Sequence, residues 1–268
     1  MPATFFGWVA FLLDKYGQLF LRGTGFTLLV SLSGTIIGFI IGLLVAIVRT
    51  IPVLTKDTVL KKALIRVLSV LMSVYIEVFR GTPMIVQAMV IYYGLPGVWA
   101  SLPNIWVLTP VVFAAIFIVS INTGAYMAEI IRGGIISVDT GQTEAAHAIG
   151  MTHWQSMIYV ILPQAVRNIM PSIGNEFVVN IKDSSVLNVI AVSELFFMGK
   201  SAAGTYLRYF EVFFIVACIY LILTFTVTRI LRILERKMDG KSSYTIHGSQ
   251  SSSQSSISIG KGARRHGE

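Results

Sequence analysis

Charged residues, cysteines and histidines are all scarce in this chain. Only 13% of the 268 residues are charged, whereas 54% are hydrophobic, and the mean hydropathy is +0.75. An ordinary soluble domain is about 25% charged, so a soluble fold could not hide this much apolar surface. The single cysteine, Cys218, excludes an intrachain disulfide framework and is read as a small buried apolar residue. The four histidines have no metal-ligand spacing, so no metal site is predicted.

A phosphate-binding loop is missing too. Gly199-Lys200-Ser201 has the last residues of that motif, but Glu194 stands where its first glycine belongs. The chain therefore hydrolyses no ATP and holds no cofactor of its own. Neither a Ser-His-Asp set nor paired carboxylates are apparent, so we predict no catalytic residues.

What the sequence has instead is a series of long apolar runs, near or above the roughly 18 residues that cross a hydrocarbon core. Five are predicted to span a membrane: about 26–48, 67 through the 80s, 105–127, 157–181 and 209–228. Gly81-Thr82-Pro83 should break the second. We predict an all-α integral membrane protein with an interfacial helix at 1–22, a transmembrane domain at 23–238, and a Ser-rich disordered tail at 239–268.

Orientation follows from the basic loops. The loop after the first span is rich in Lys and Arg, whereas residues 95–104 carry no charge. The positive-inside rule places the first loop in the cytoplasm, the N-terminus outside, and both the 133–155 loop and the C-terminal tail inside. The same rule explains the net charge of +8 better than a nucleic-acid partner does.

The inner loop at 133–155 carries the most specific motif. Glu144-Ala145-Ala146 is followed by Gly150 and then by Leu162-Pro163. This pattern resembles the EAA loop of permease subunits of ABC importers, although good helix formers in an ordinary connector would also give Glu-Ala-Ala. The order of the segments 75–83, 122–126 and 182–185 resembles that of the polar amino-acid uptake family.

The resemblance has several implications. It implies the type I importer permease fold, with a cytoplasmic coupling helix that docks on a separate ATP-binding subunit. The residues expected to make the ATPase contact are Glu144, Ala145, Ala146, His147 and Gly150. Also implied are a dimer of that ATPase holding ATP and Mg²⁺, and a second permease that is either the same chain or a paralogue. An extracytoplasmic solute-binding protein would deliver the substrate, a polar amino acid, at a bacterial inner membrane.

Polar residues at membrane depth are candidates for the substrate path, because a zwitterion must exchange its hydration for fixed polar partners. The candidates are Glu77, Arg80, Thr82, Asn175, Glu176 and Asn180. Alternatively, Glu77 and Arg80 pair with each other or with Glu129 and Arg132 to hold helix ends together. Lys182 and Asp183 are expected near the outer end of the fourth span, as a gate or as a solvated turn.

Two other classes of protein compete with the importer. A secondary transporter would explain charges within spans, but we see no internal repeat. A membrane-embedded enzyme would need catalytic groups converging at one depth. A neighbouring gene for an ATP-binding subunit would favour the importer over both.

Overall fold

The computed structural model describes residues 2–51, 58–105, 107–238, 244–247 and 256–259, and almost all of them are helical. Most helices begin at a threonine or carboxylate side chain that accepts a bond from an early backbone N–H. Thr109, for example, accepts from the N–H of Val112 at 3.4 Å, with Pro110 in the first turn. The helices are α1 (Phe5–Thr50), α2 (Val59–Gly81), α3 (Met84–Gly94), α4 (Pro96–Ala100), α5 (Pro110–Ile136), α6 (Thr140–Ala148), α7 (His153–Ser156), a π-helical turn (Met157–Ile161), α8 (Leu162–Asp183), a 3₁₀ helix (Ser184–Ile190), α9 (Leu195–Tyr206) and α10 (Tyr209–Met238).

Among the described residues, three helices are long and apolar enough to cross a membrane: α1, α5 and α10. A fourth crossing is possible if the bent pair formed by 153–190 and α9, which turns by 55°, counts as one span. The predicted second span is divided into α2 and α3 at Thr82 and Pro83, where the sequence predicted a break. The all-α membrane fold is confirmed, whereas the count of five spans stays a prediction.

α1 differs from the expectation of a separate N-terminal helix, because one continuous helix covers Phe5–Thr50. Its first half packs along α10, where Trp8, Leu12 and Phe20 share an apolar cluster with Val212, Ile215 and Val216. Thr27 and Tyr220 both bond to residues 194–195, at 3.2 Å and 3.0 Å, and Phe5 meets Phe214 with ring centroids 5.3 Å apart. The interfacial location of residues 1–22 stays a prediction.

α1 and α5 pack closely along a row of glycines. A Cβ atom on Gly34, Gly38 or Gly42 would lie 2.4 to 2.7 Å from side-chain atoms of Val119, Thr123 and Met127 respectively. The four-residue spacing of these three glycines in the sequence places them on one helix face. The helices therefore approach as closely as their backbones allow.

The break between α8 and α9 is closed by a buried carboxylate. Glu194 is fully buried and accepts from the N–H groups of Phe196 and Phe197, at 2.8 and 2.7 Å, and from the Tyr220 hydroxyl at 3.0 Å. The first backbone N–H groups of α9, which have no partner within the helix, are hydrogen-bonded in this way. Glu194 therefore has a structural role that the sequence analysis did not assign to it.

The C-terminal tail lies mostly outside the described residues. Two four-residue strands, β1 (Tyr244–His247) and β2 (Ser256–Ile259), pair antiparallel. A two-stranded ribbon of this size is marginal in water. The disordered tail at 239–268 stays a prediction.

The α1–α5 contact predicts an asymmetric response to added methyl groups. Gly42→Ala should lower the free energy of unfolding by about 1–3 kcal/mol, because the new Cβ overpacks a tight contact. Gly17→Ala, on the same helix with nothing within 4 Å of the new Cβ, should be neutral or slightly stabilising. Melting of the purified protein in detergent measures both, and equal melting temperatures would contradict the packing argument.

Candidate functional site

The loop between α5 and α8 contains the helix that the sequence singled out. Asp139 caps α6 by accepting from the N–H of Gly141 at 2.7 Å. The helix ends at Ala148, two residues before Gly150, whose φ of +83° favours glycine, and the N–H of Met151 returns to the carbonyl of Ala146 at 3.1 Å. The short helix and sharp stop expected from Glu-Ala-Ala and the following glycine are both present.

The residues predicted to contact an ATPase do not all face the same way. Glu144, Ala145, His147 and Gly150 are exposed, whereas Ala146 is 4% exposed. Ala146 therefore anchors α6 to the protein and is covered in this structure. The exposed face also includes two side chains that the sequence analysis missed, Ile149 at 80% and Trp154 at 69% exposed. Both are large apolar residues close to a motif in a loop, and this is the sequence signal that could have identified them.

The loop that contains α6 is held to the start of α8 by side chains that the sequence analysis did not select. Asn168 donates to the hydroxyl of Ser137 at 3.0 Å, and Gln164 approaches the amide oxygen of Gln142 at 3.4 Å. Below them, Val138 packs against Ile161 and Ala165. The loop is thereby joined to α8 through contacts as well as through the chain.

The chain between α7 and α8 is a π-helical turn. The N–H of Leu162 reaches back to the carbonyl of Met157, and Pro163 supplies no N–H to the next turn. Gln164 instead donates its side-chain amide to the carbonyl of Val160 at 2.9 Å. This π-helical turn thus lies between the loop that contains α6 and helix α8.

Three helices meet at Asn180. Its amide donates to Thr35 at 2.8 Å and its side-chain oxygen accepts from Thr123 at 3.1 Å, while its carbonyl accepts from Ser31 at 3.0 Å. Asn180 is 2% exposed, so in this structure its side chain joins α1, α5 and α8 and faces no open path. Asn175 is exposed and Glu176 half-buried on the same helix.

α8 ends deeper in the protein than the sequence suggested. Thr123, the partner of Asn180, lies at the middle of α5, and Lys182 lines a groove with Leu221 and Thr224 near the middle of α10. The expectation that Lys182 lies near the outer end is therefore wrong. Contact between Gly134 and Ile169 explains the difference, because the first two turns of α8 lie beside the last turn of α5 and only the rest of α8 extends inward.

The break after α2 is closed by Gln87, a residue that the sequence analysis missed. Its side-chain amide donates to the carbonyls of Phe79 and Thr82, both at 2.9 Å, and its oxygen accepts from Asn122 at 2.8 Å. Thr82 itself donates to the carbonyl of Val78 at 2.8 Å. A glutamine in the apolar run of α3 was the available signal, because membrane depth disfavours an unpaired amide.

The alternative prediction, that Glu77 and Arg80 pair with each other or with Glu129 and Arg132, is wrong for the described residues. Glu129 bonds to Arg132 at 2.8 Å, and its other oxygen bonds at 2.5 Å to Arg49, a partner that was not anticipated. Glu77 and Arg80 are exposed and make no ion pair within the described residues; the Arg80 guanidinium lies over the ring of Tyr126, 5.5 Å from its centroid.

Long apolar helices, helix breaks closed by buried polar side chains and an exposed loop helix are together typical of a membrane-embedded transport protein. Residues 63–240 match the family model described as binding-protein-dependent transport system inner membrane component. The chain belongs to that family, the permease subunits of ABC importers, as its motifs indicated. Homologous subunits are non-enzymatic components.

Individual relatives agree with this assignment. The glutamine transport system permease protein GlnP of Escherichia coli (strain K12) is 40% identical over 220 residues, which cover 82% of this chain and 93% of the relative. A crystal structure of an amino acid ABC transporter with histidines is 36% identical with a TM-score of 0.74, covering 88% of this chain and 100% of that one. An inward-facing MetNI methionine ABC transporter, 20% identical with a TM-score of 0.67, covers 84% of this chain and 98% of that one and shows the shared fold alone.

The buried position of Asn180 predicts that its hydrogen bonds stabilise the fold. Asn180→Leu keeps the side-chain volume but leaves Thr35 and Thr123 without their partner, which should cost about 1–2 kcal/mol of unfolding free energy. Asn175→Leu, on the exposed face of the same helix, is the control and should cost less. Denaturation in mixed micelles measures both, and equal losses would refute a specific role for the Asn180 bonds.

Proposed function

We propose that this chain forms the translocation path of a bacterial importer for polar amino acids and is driven by a separate ATPase that docks on α6. The carrying observation is the division of α6 into an exposed face, with Glu144, Ala145 and His147, and a buried anchor, Ala146. A helix that packs against its own protein on one face and is exposed on the other can bind a partner protein with the exposed face.

The contacts beneath α6 support a route for the movement. Displacement of α6 by the ATPase would act on α8 through the pairs Ser137–Asn168 and Gln142–Gln164 and through the apolar contact around Val138. α8 then carries the displacement toward Asn180 at mid-depth. The proposed substrate path consists of two polar residues of α8 and three residues near the break after α2. They are Asn175, which is exposed, Glu176, which is half-buried, and Glu77, Arg80 and Thr82.

The substrate class is supported by the relatives named above, which are a glutamine permease and an amino acid transporter. We further propose that a dimer of the ATPase holds ATP and Mg²⁺ and that a second permease, identical or paralogous, completes the path. A solute-binding protein delivers the amino acid from outside. The protein lies in the inner membrane with its N-terminus outside and its C-terminus in the cytoplasm.

Substitutions on the exposed face of α6 test the docking proposal. Glu144→Lys reverses a charge at the contact, and Gly150→Trp places a bulky side chain where φ is +83°. Both should abolish coupled uptake, measured with radiolabelled glutamine in cells that express the complete transporter. The amount of permease in the membrane should not change.

Lys200→Glu is the matched control, since it reverses a charge at an exposed position of α9, far from the loop in the chain. It should leave uptake intact. Full uptake in both α6 variants would disprove docking at this helix.

Orientation is tested by single-cysteine labelling in a Cys218→Ser background. Gly97→Cys, at an exposed position of α4, should react with a membrane-impermeant maleimide in intact spheroplasts. Ala145→Cys should react only after permeabilisation, because α6 is proposed to face the cytoplasm. The reverse labelling pattern would overturn the proposed topology and remove the ATPase from reach of α6.

A further inference from the structure

A second feature lies away from α6 and from the Asn180 cluster. α8 and α10 enclose a groove of about 300 Å³ whose lining includes three cationic residues, Lys182, Arg229 and Arg232. No carboxylate is among the lining residues, and among the described residues no ion pair engages any of the three cations. Cations placed together in a groove without a carboxylate are electrostatically unfavourable until an anion joins them.

The lining of the groove changes from apolar to polar toward the C-terminal end of α10. Leu221 and Phe225 line its deeper part and are both more than half exposed. Thr228 and the two arginines line the part nearer the C-terminal end of α10. The Arg229 guanidinium lies 4.7 Å from the centroid of the Phe225 ring, which places this charge over the apolar wall.

The depth of the arginines follows from their neighbours. Gly174 lies against Leu231, and Ile169, five residues earlier in α8, lies against Gly134 near the end of α5. The arginines are therefore about 8 Å inside the end of α5, which is about 40 Å long and exceeds a hydrocarbon core of about 30 Å. That depth is close to the boundary between headgroups and acyl chains. Lys182 is deeper, but its long stem can extend toward the boundary.

We propose that this groove binds one anionic phospholipid, with its phosphate on Arg229 and Arg232 and an acyl chain along Leu221 and Phe225. The cations favour a net-negative headgroup over a zwitterionic one, because the ammonium of the latter would be repelled by them. The proposal rests on the proposed topology only for the leaflet, which would be the cytoplasmic one.

The alternative occupant is the transported amino acid, whose carboxylate could also reach the arginines. The apolar part of the groove argues against it. Leu221 and Phe225 match a hydrocarbon chain and offer nothing to the polar side chain of the proposed substrate. Exposed Ile222 next to Leu221 extends the same apolar face.

Native mass spectrometry of the full-length permease tests the proposal with two probes, dioleoyl phosphatidylglycerol and dioleoyl phosphatidylethanolamine. Wild type should retain phosphatidylglycerol in preference to phosphatidylethanolamine. The double variant Arg229→Gln/Arg232→Gln should bind phosphatidylglycerol about tenfold more weakly or worse, since each basic residue adds to headgroup attraction. Arg236→Gln/Lys237→Gln removes the same charge from the same helix outside the groove and should retain wild-type binding.

Lys182→Gln provides a second, milder test if the double variant does not fold, and it should also weaken phosphatidylglycerol binding. Equal loss in the two double variants would overturn the proposal, because the attraction would then be diffuse. Equal retention of the two lipids would overturn it, as would displacement of phosphatidylglycerol by millimolar glutamine. Neither ATP nor the ATPase enters this measurement, so its failure would leave the proposed importer untouched.

Discussion

Lipid provides no hydrogen-bond partners, and the structure of this chain depends on satisfying its interrupted helices from within. Two breaks occur at membrane depth, and each has a polar side chain assigned to it. Gln87 serves the carbonyls freed after α2, while Glu194 accepts from the N–H groups freed at the start of α9. Each side chain has one further partner, Asn122 for Gln87 and Tyr220 for Glu194, so neither polar group is left unpaired. The breaks are therefore stable features of the fold.

α1 and α5, by contrast, are continuous helices. The glycines of α1 allow α5 to approach at backbone distance, and dispersion contacts along the seam hold the two helices together without a hydrophobic driving force. α8 is attached to this pair at several levels, by Asn168 to Ser137, by Ile169 against Gly134, and by Asn180 against Thr35 and Thr123. The loop that contains α6 adjoins the start of α8. This arrangement places α8 next to the loop on which we propose that an ATPase acts.

The π-helical turn and Pro163 belong to the same arrangement. A regular helix would transmit rotation and translation together, whereas an irregular turn has a weaker backbone ladder and more freedom. Gln164 restores part of that ladder by bonding to Val160 and lies close to Gln142 of the loop. One residue thus connects the loop, the irregular turn and α8.

The sequence by itself determined the class of protein, the break at residues 81–83, the glycine row of α1 and the loop helix with its terminal glycine. These features depend on local composition, spacing and backbone preference, which a single chain displays directly. It did not determine that Ala146 faces inward, that Asn180 joins three helices, or that Lys182 lies at mid-depth. Those facts depend on where residues far apart in the chain meet: Gly134 with Ile169, and Thr35 with Asn180. Only the tertiary structure decides such meetings, because the depth of a helix is set by its neighbours and not by its own hydropathy.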